Sequence, residues 1–116
     1  GSILGGHPKF YIALTGGIPM RLAIARSGFY RADKYCSDSR SARRALREHS
    51  ISILAIEYYL AGSENGDAVL RWAGDRNLLP FNVVIIERDR TKRKCLSEVL
   101  TTIGFRSSDE TTYFKL

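Results

Sequence analysis

The chain has 116 residues, of which 44% are hydrophobic and 26% charged, with a formal net charge of +6. That length suits one domain with a real core and leaves too little chain for two, and the composition is that of an ordinary soluble globular protein. No apolar run reaches the about 18 residues of a membrane span, because Arg21, Arg26, Glu57 and Arg71 interrupt the apolar stretches, so no membrane role is expected.

In chain order, the opening GSILGGHPK has neither a long apolar core nor a cleavage pattern, so it does not read as a signal peptide. Gly1-Ser2 reads as a cloning remnant, and residues 1–8 as a flexible N-terminal stretch before one α/β domain over 9–116. Lys9 to Leu14 (KFYIAL) is apolar and aromatic and stops at Thr15-Gly16-Gly17, which predicts a strand and a turn. Pro19 suits the first turn of a helix, with Met20, Leu22, Ala23 and Ala25 on its buried side and an end near Gly28. Phe29 to Tyr35 is a second, weaker strand, placed at a sheet edge.

Ser37 or Asp38 caps the next helix, in which Ala42, Ala45 and Leu46 recur at helical spacing while Arg40, Arg43, Arg44 and Arg47 cover the rest. Ile51 to Tyr58 is a near-continuous apolar run, as expected of a strand covered on both faces. After a loop over 62–66, Ala68, Val69, Trp72 and Ala73 mark a helix that Asn77 terminates. Pro80 leads into the strand FNVVII, which ends on Glu87. Asp89 or Thr91 caps a last helix with Cys95, Leu96, Val99, Leu100 and Ile103 on its core face, closed by Gly104. A final strand, read as antiparallel, is expected near Thr111 to Leu116.

This alternation predicts a three-layer α/β fold of flavodoxin type, a mostly parallel five-stranded sheet with helices on both faces. Ligands of such sheets bind beyond the carboxyl ends of the strands. One rim would then gather Thr15, Gly16 and Gly17 after the first strand, Glu57, Tyr58 and Tyr59 after the third, and Glu87, Arg88 and Asp89 after the fourth. Three acids there have the chemistry to hold a divalent cation through oxygen. The bland reading, strand ends emerging into water, carries more weight, and no metal or cofactor is expected.

His7 and His49 lie away from the rim, so no histidine base is evident. Thr15-Gly16-Gly17 lacks the lysine and glycine spacing of a P-loop. Cys36 and Cys95 have no second ligand at metal spacing, and Cys95 falls on an apolar helix face. Free thiols in a reducing cytoplasm follow. The run RDRTKRK, 88–94, sets Arg88, Arg90, Lys92, Arg93 and Lys94 around a helix start, where partial positive charge favours acids, and is a candidate site for an anion or partner. No aromatic is interleaved with these charges, which weakens a single-strand nucleic-acid reading.

The stretch SISILAIEYYLAGSENGDAVLRWAGDRNLLPFNVVIIERD, with weaker matches at KFYIAL and SARRALREHS, resembles the receiver superfamily, and in particular the small bacterial receiver-like domains that process cyclic phosphates. The resemblance implies an acidic pair after the first strand, where this chain has Ala13, Leu14 and Thr15, and an Asp after the third, where Glu57 stands. It places Tyr59 at the next expected acid, and Glu87, Arg88 and Asp89 after the fourth strand. The resemblance therefore implies the fold and argues against the family's activity.

The first functional expectation is a pseudo-receiver without catalytic residues, a signalling or regulatory module that binds a protein through Tyr58, Tyr59 and residues 88–94. The first alternative is a metal-dependent phosphoesterase or RNA-end enzyme, with Glu57, Glu87 and Asp89 on the metal and Arg88 or Arg93 on the phosphate. The second is a nucleic-acid binder using both basic faces. Oligomeric state is not legible from the residues.

Overall fold

The computed structural model describes residues 18–116. The stretch 1–8, the strand expected over Lys9 to Leu14 and the Thr15-Gly16-Gly17 turn lie outside the described residues. The described chain is α/β, with six strands in one mixed sheet and three helices. In order these are β1 (Met20–Ile24), β2 (Lys34–Cys36), α1 (Ser39–Glu48), β3 (Ile51–Ile56), α2 (Gly66–Asp75), β4 (Asn82–Ile85), α3 (Arg90–Ile103), β5 (Phe105–Arg106) and β6 (Thr112–Lys115).

The sheet order is β2-β1-β3-β4-β6-β5. β2, β1, β3 and β4 run parallel, whereas β6 pairs antiparallel with β4 and with β5. The sheet is thus six-stranded and mixed rather than five-stranded. The added strand is β5, two residues long and therefore too short to carry a readable alternation.

The helix expected from Pro19 to Gly28 is instead strand β1. Met and Ala are good helix formers, but this segment is flanked by β2 on one side and β3 on the other, and that pairing overrides local preference. Its side chains alternate. Leu22 and Ile24 join the main core with Leu54 and Ile56 of β3 and Val83 and Ile85 of β4, while Ala23 pairs with Ala55 on the opposite face.

All three described helices lie on one face of the sheet, not on both. Their buried residues, among them Ala45 and Leu46 of α1, Val69 and Leu70 of α2 and Leu96 and Leu100 of α3, share a single core with the strands. Handedness explains this for α1 and α2. The steps from β2 to β3 and from β3 to β4 move the same way across the sheet, so right-handed crossovers put α1 and α2 on the same side. Among the parallel connections only the step from β1 to β2 moves the other way, and residues 25–33 make it without a helix.

The caps behave as the sequence suggests. Asp38 accepts from the Ser41 N–H at 2.8 Å, Asp89 accepts from the Lys92 N–H at 3.0 Å, and Gly104 ends α3 in the left-handed region at φ 120°. Cys36 is buried and Cys95 only partly so, both as free thiols, and burial pushes the Cys36 thiol up. No described helix is long and apolar enough to cross a membrane.

Two loop carboxylates make stability fall in acid. The Ser41 hydroxyl, then its N–H, holds Asp38 below the usual aspartate range. The Thr112 and Thr111 N–H groups, then the Ser107 hydroxyl, do so for Asp109. A depressed folded value means stability that is complete above the ordinary aspartate range and lost as pH falls through the depressed value. The acid side of a thermal-unfolding profile is expected to flatten in Asp109→Asn relative to wild type.

Candidate functional site

β1, β3 and β4 end at a common rim. The ladder runs past the strands, with the Glu57 N–H donating to the Ile24 carbonyl at 2.9 Å and the Ile86 N–H to the Ile56 carbonyl at 3.0 Å. Glu57 and Glu87 therefore stand at the same edge, one on each of two neighbouring parallel strands. The end of β1 contributes Arg26 and Ser27, which carry no site signal in a segment whose residues favour a helix.

Both acids are already engaged. Oε1 of Glu57 accepts from the Arg26 N–H at 2.9 Å and the Ser27 N–H at 3.4 Å, and Oε2 accepts from the Ser27 hydroxyl. Oε1 of Glu87 accepts from the Tyr58 N–H at 2.8 Å, and Oε2 from the Asp89 N–H at 3.0 Å. Asp89 in turn caps α3. Each carboxylate ties one strand end to the backbone of another loop, and such charge-assisted bonds are among the stronger ones a protein makes. Among the described residues no three His, Cys, Asp or Glu side chains come together as a metal site.

What faces outward is aromatic and basic. The Tyr58 and Tyr59 rings meet edge to face, 5.0 Å between centroids. Lys92 Nζ sits 4.7 Å from the Tyr58 ring centroid and 5.8 Å from that of Tyr59, and the Arg88 guanidinium lies 5.0 Å over Phe29. Phe29 is 56% exposed and Tyr59 45%. A hollow of about 390 Å³ opens between Phe29, Tyr59 and Arg88, with Glu57 and Glu87 in its wall. Phe29 had no sequence signal beyond its place in a weak strand.

The basic run divides by role. Arg93 is a clamp. Its Nη1 donates to the carbonyls of Ile85 (3.3 Å) and Glu87 (3.1 Å), and its Nη2 to the Glu110 carbonyl (2.8 Å) and Thr111 Oγ1 (2.9 Å). It thereby fastens the end of β4 to the turn before β6. Arg93→Ala is expected to cost about 2–3 kcal/mol in urea unfolding, since bonds to a charged group are worth about 1.5–3 kcal/mol each before exposure reduces them. Arg93→Lys should recover little of it, because an ammonium has no planar fork to span both carbonyl sets. Arg88 and Lys92 belong to the aromatic rim, and Arg88 also joins Arg90 and Lys94 in lining a groove beside α3.

The second basic face also differs from its sequence reading. Trp72 of α2 stands among Arg43 and Arg47 of α1 and Arg76, with guanidinium-to-ring distances of 5.3, 5.7 and 4.8 Å. Arg43 also pairs with Glu64 at 2.6 Å. The aromatic missing from the arginine run in sequence is supplied by the next helix in space.

Compared with family models, with curated proteins and with solved structures, the chain matches none.

Proposed function

We propose that this chain is a receiver-like module without catalytic residues, which recognises a protein partner through the rim formed by Phe29, Tyr58, Tyr59, Arg88 and Lys92. The observation that carries the reading is the engagement of Glu57 and Glu87 with backbone N–H groups. Each of the four carboxylate oxygens already accepts at least one hydrogen bond that holds a loop in place, so a metal or phosphoryl group would have to compete with those bonds.

The receiver-like kinship draws support from the strand order β2-β1-β3-β4, which is that of flavodoxin-like sheets up to the point where β6 enters antiparallel. With β1 at Met20–Ile24, the residues that follow this strand are Ala25, Arg26 and Ser27. A cation and a hydroxyl thus occupy the region where the family's acidic pair would lie, which argues further against metal-assisted phosphate chemistry. Tyrosine and arginine at the centre of an exposed patch are the residue types that dominate protein interfaces.

Capture from native cells tests the reading. The combined change Tyr59→Ala, Arg88→Ala and Lys92→Ala is expected to lose the partner that the wild type retains, with the fold intact by circular dichroism. Recovery of the same partners by both would refute the rim as the contact surface.

The nucleic-acid alternative gains one observation, the indole of Trp72 set among three arginines. Retention of random RNA at low salt that falls steeply with added salt, and that is lost in Arg47→Ala with Arg76→Ala, would favour it.

A further inference from the structure

A groove of about 950 Å³ separates the outer side of α3 from the β5–β6 hairpin. Arg88, Arg90, Arg93, Lys94 and Arg106 line it, against only Glu98 and Glu110. The ion pairs among the described residues are Arg43–Glu64, Arg44–Glu48 and Arg71–Asp67, so none of the five groove cations has a described carboxylate at ion-pair distance. The excess of positive charge has no internal counterpart. The first turn of α3 also carries no acid, although its partial positive charge favours one.

Two of these cations are fixed in place. Arg93 is locked by the carbonyls and hydroxyl described above, and Arg106 Nη1 donates to the Phe105 carbonyl at 2.8 Å. Ser97 and Thr101 of α3 and Ser107 of the hairpin add hydroxyls to the lining, and Ser97 Oγ is hydrogen-bonded to the Tyr113 hydroxyl of β6 at 2.5 Å. Guanidinium groups and hydroxyls around an open groove are the chemistry that receives a phosphate monoester, which brings about −1.5 to −2 charge and three strong acceptor oxygens. A lone carboxylate would leave most of the charge excess standing. Bases would find no platform, because Tyr113, the aromatic in the lining, is only 2% exposed.

The geometry points to this groove as the docking site for a phosphorylated segment of a partner protein, with the phosphoryl group held among Arg90, Lys94 and Arg106. This rests on the protein-binding reading above and adds the chemistry of the partner. Arg88 belongs to both the groove and the rim hollow, so a segment bound in one reaches the other.

The test is fluorescence polarisation with a degenerate peptide library centred on phosphoserine, the same library unphosphorylated, and a single-stranded RNA of equal charge. The phosphorylated library is expected to bind about tenfold or more tightly than the other two, a difference of about one charge-assisted contact. Lys94→Glu with Arg106→Glu should remove that preference, and the milder Lys94→Gln with Arg106→Gln should weaken it while circular dichroism stays unchanged. Equal binding of the unphosphorylated library, tighter binding of the RNA, no binding at all, or full binding by the charge-reversed protein would each overturn the assignment. Tyr59→Ala with Lys92→Ala separates the two readings. If it loses the native partner but keeps the phosphopeptide preference, both stand; if phosphopeptide binding fails while the rim still governs partner capture, the groove assignment falls alone.

Discussion

Gly66→Ala is expected to destabilise the protein by about 2–3 kcal/mol, although alanine is favoured over glycine inside a helix by about 1 kcal/mol. A Cβ at Gly66 would lie 2.2 Å from the Glu57 carbonyl oxygen and 3.2 Å from Ile56 Cγ1. The first contact is with backbone, and that backbone is held on three sides. The Glu57 N–H is bound to the Ile24 carbonyl, the Glu57 side chain grips Arg26 and Ser27, and the Gly66 N–H itself donates to the Tyr58 carbonyl at 2.7 Å. Relief therefore requires α2 to lift from β3, which opens contacts of Val69 and Leu70 in the core. Urea unfolding should show a lower midpoint at an unchanged slope. Gly28, with nothing within 4 Å of its would-be Cβ, is the control, and Gly28→Ala should shift stability by no more than about 0.5 kcal/mol. Similar midpoints for the two variants would mean that α2 does not start against the end of β3.

Glu57→Ala should cost about 2–3 kcal/mol, because hydrogen bonds to a charged group are worth about 1.5–3 kcal/mol and a half-buried site gives back part of that to water. Its local signature matters more than its size. The amides of Arg26 and Ser27 lose their acceptor, so their hydrogen exchange should accelerate well beyond that of the β1 amides Leu22 to Ile24. Glu57→Gln separates charge from geometry. Its amide oxygen can still accept from both N–H groups, while its NH2 meets the Ser27 hydroxyl, which can turn to accept. About 1 kcal/mol is the expected loss, that of one ordinary hydrogen bond in place of a charged one. If Glu57→Ala left the exchange of Arg26 and Ser27 unchanged, the carboxylate would not be their anchor.

Where the sequence was readable, one strong local signal agreed with the tertiary contacts. The alanine and leucine spacing of α1, the Asp89 cap and Gly104 stop of α3 and the apolar run of β3 all had such a signal. Met20 to Ile24 did not. Five residues, four of them (Met20, Arg21, Leu22 and Ala23) good helix formers, carry no period that separates helix from strand, and only the neighbours β2 and β3 decide it. A strand read as a helix hides the residues at its end, here Arg26 and Ser27.

The site was legible as a place but not as a set of roles. Glu57 and Glu87 fall on one rim as parallel strands require, yet an acid that holds a loop and an acid that holds a metal have the same letter. Arg93 resembled its neighbours in a basic run, and only the carbonyls that converge on it from β4 and from the turn before β6 set it apart. The meeting of Trp72 with Arg43 and Arg47 spans two helices, beyond any pattern along the chain.

Amide resonances of Arg26, Ser27, Tyr58 and Asp89, followed by NMR through a magnesium titration into the millimolar range, report directly on whether the two rim glutamates are free to leave their loops. If Glu57 and Glu87 are structural anchors, these four signals should show no saturable displacement. A saturable displacement concentrated at them would mean that the carboxylates take up a cation, which would contradict the anchoring role on which the proposed function rests.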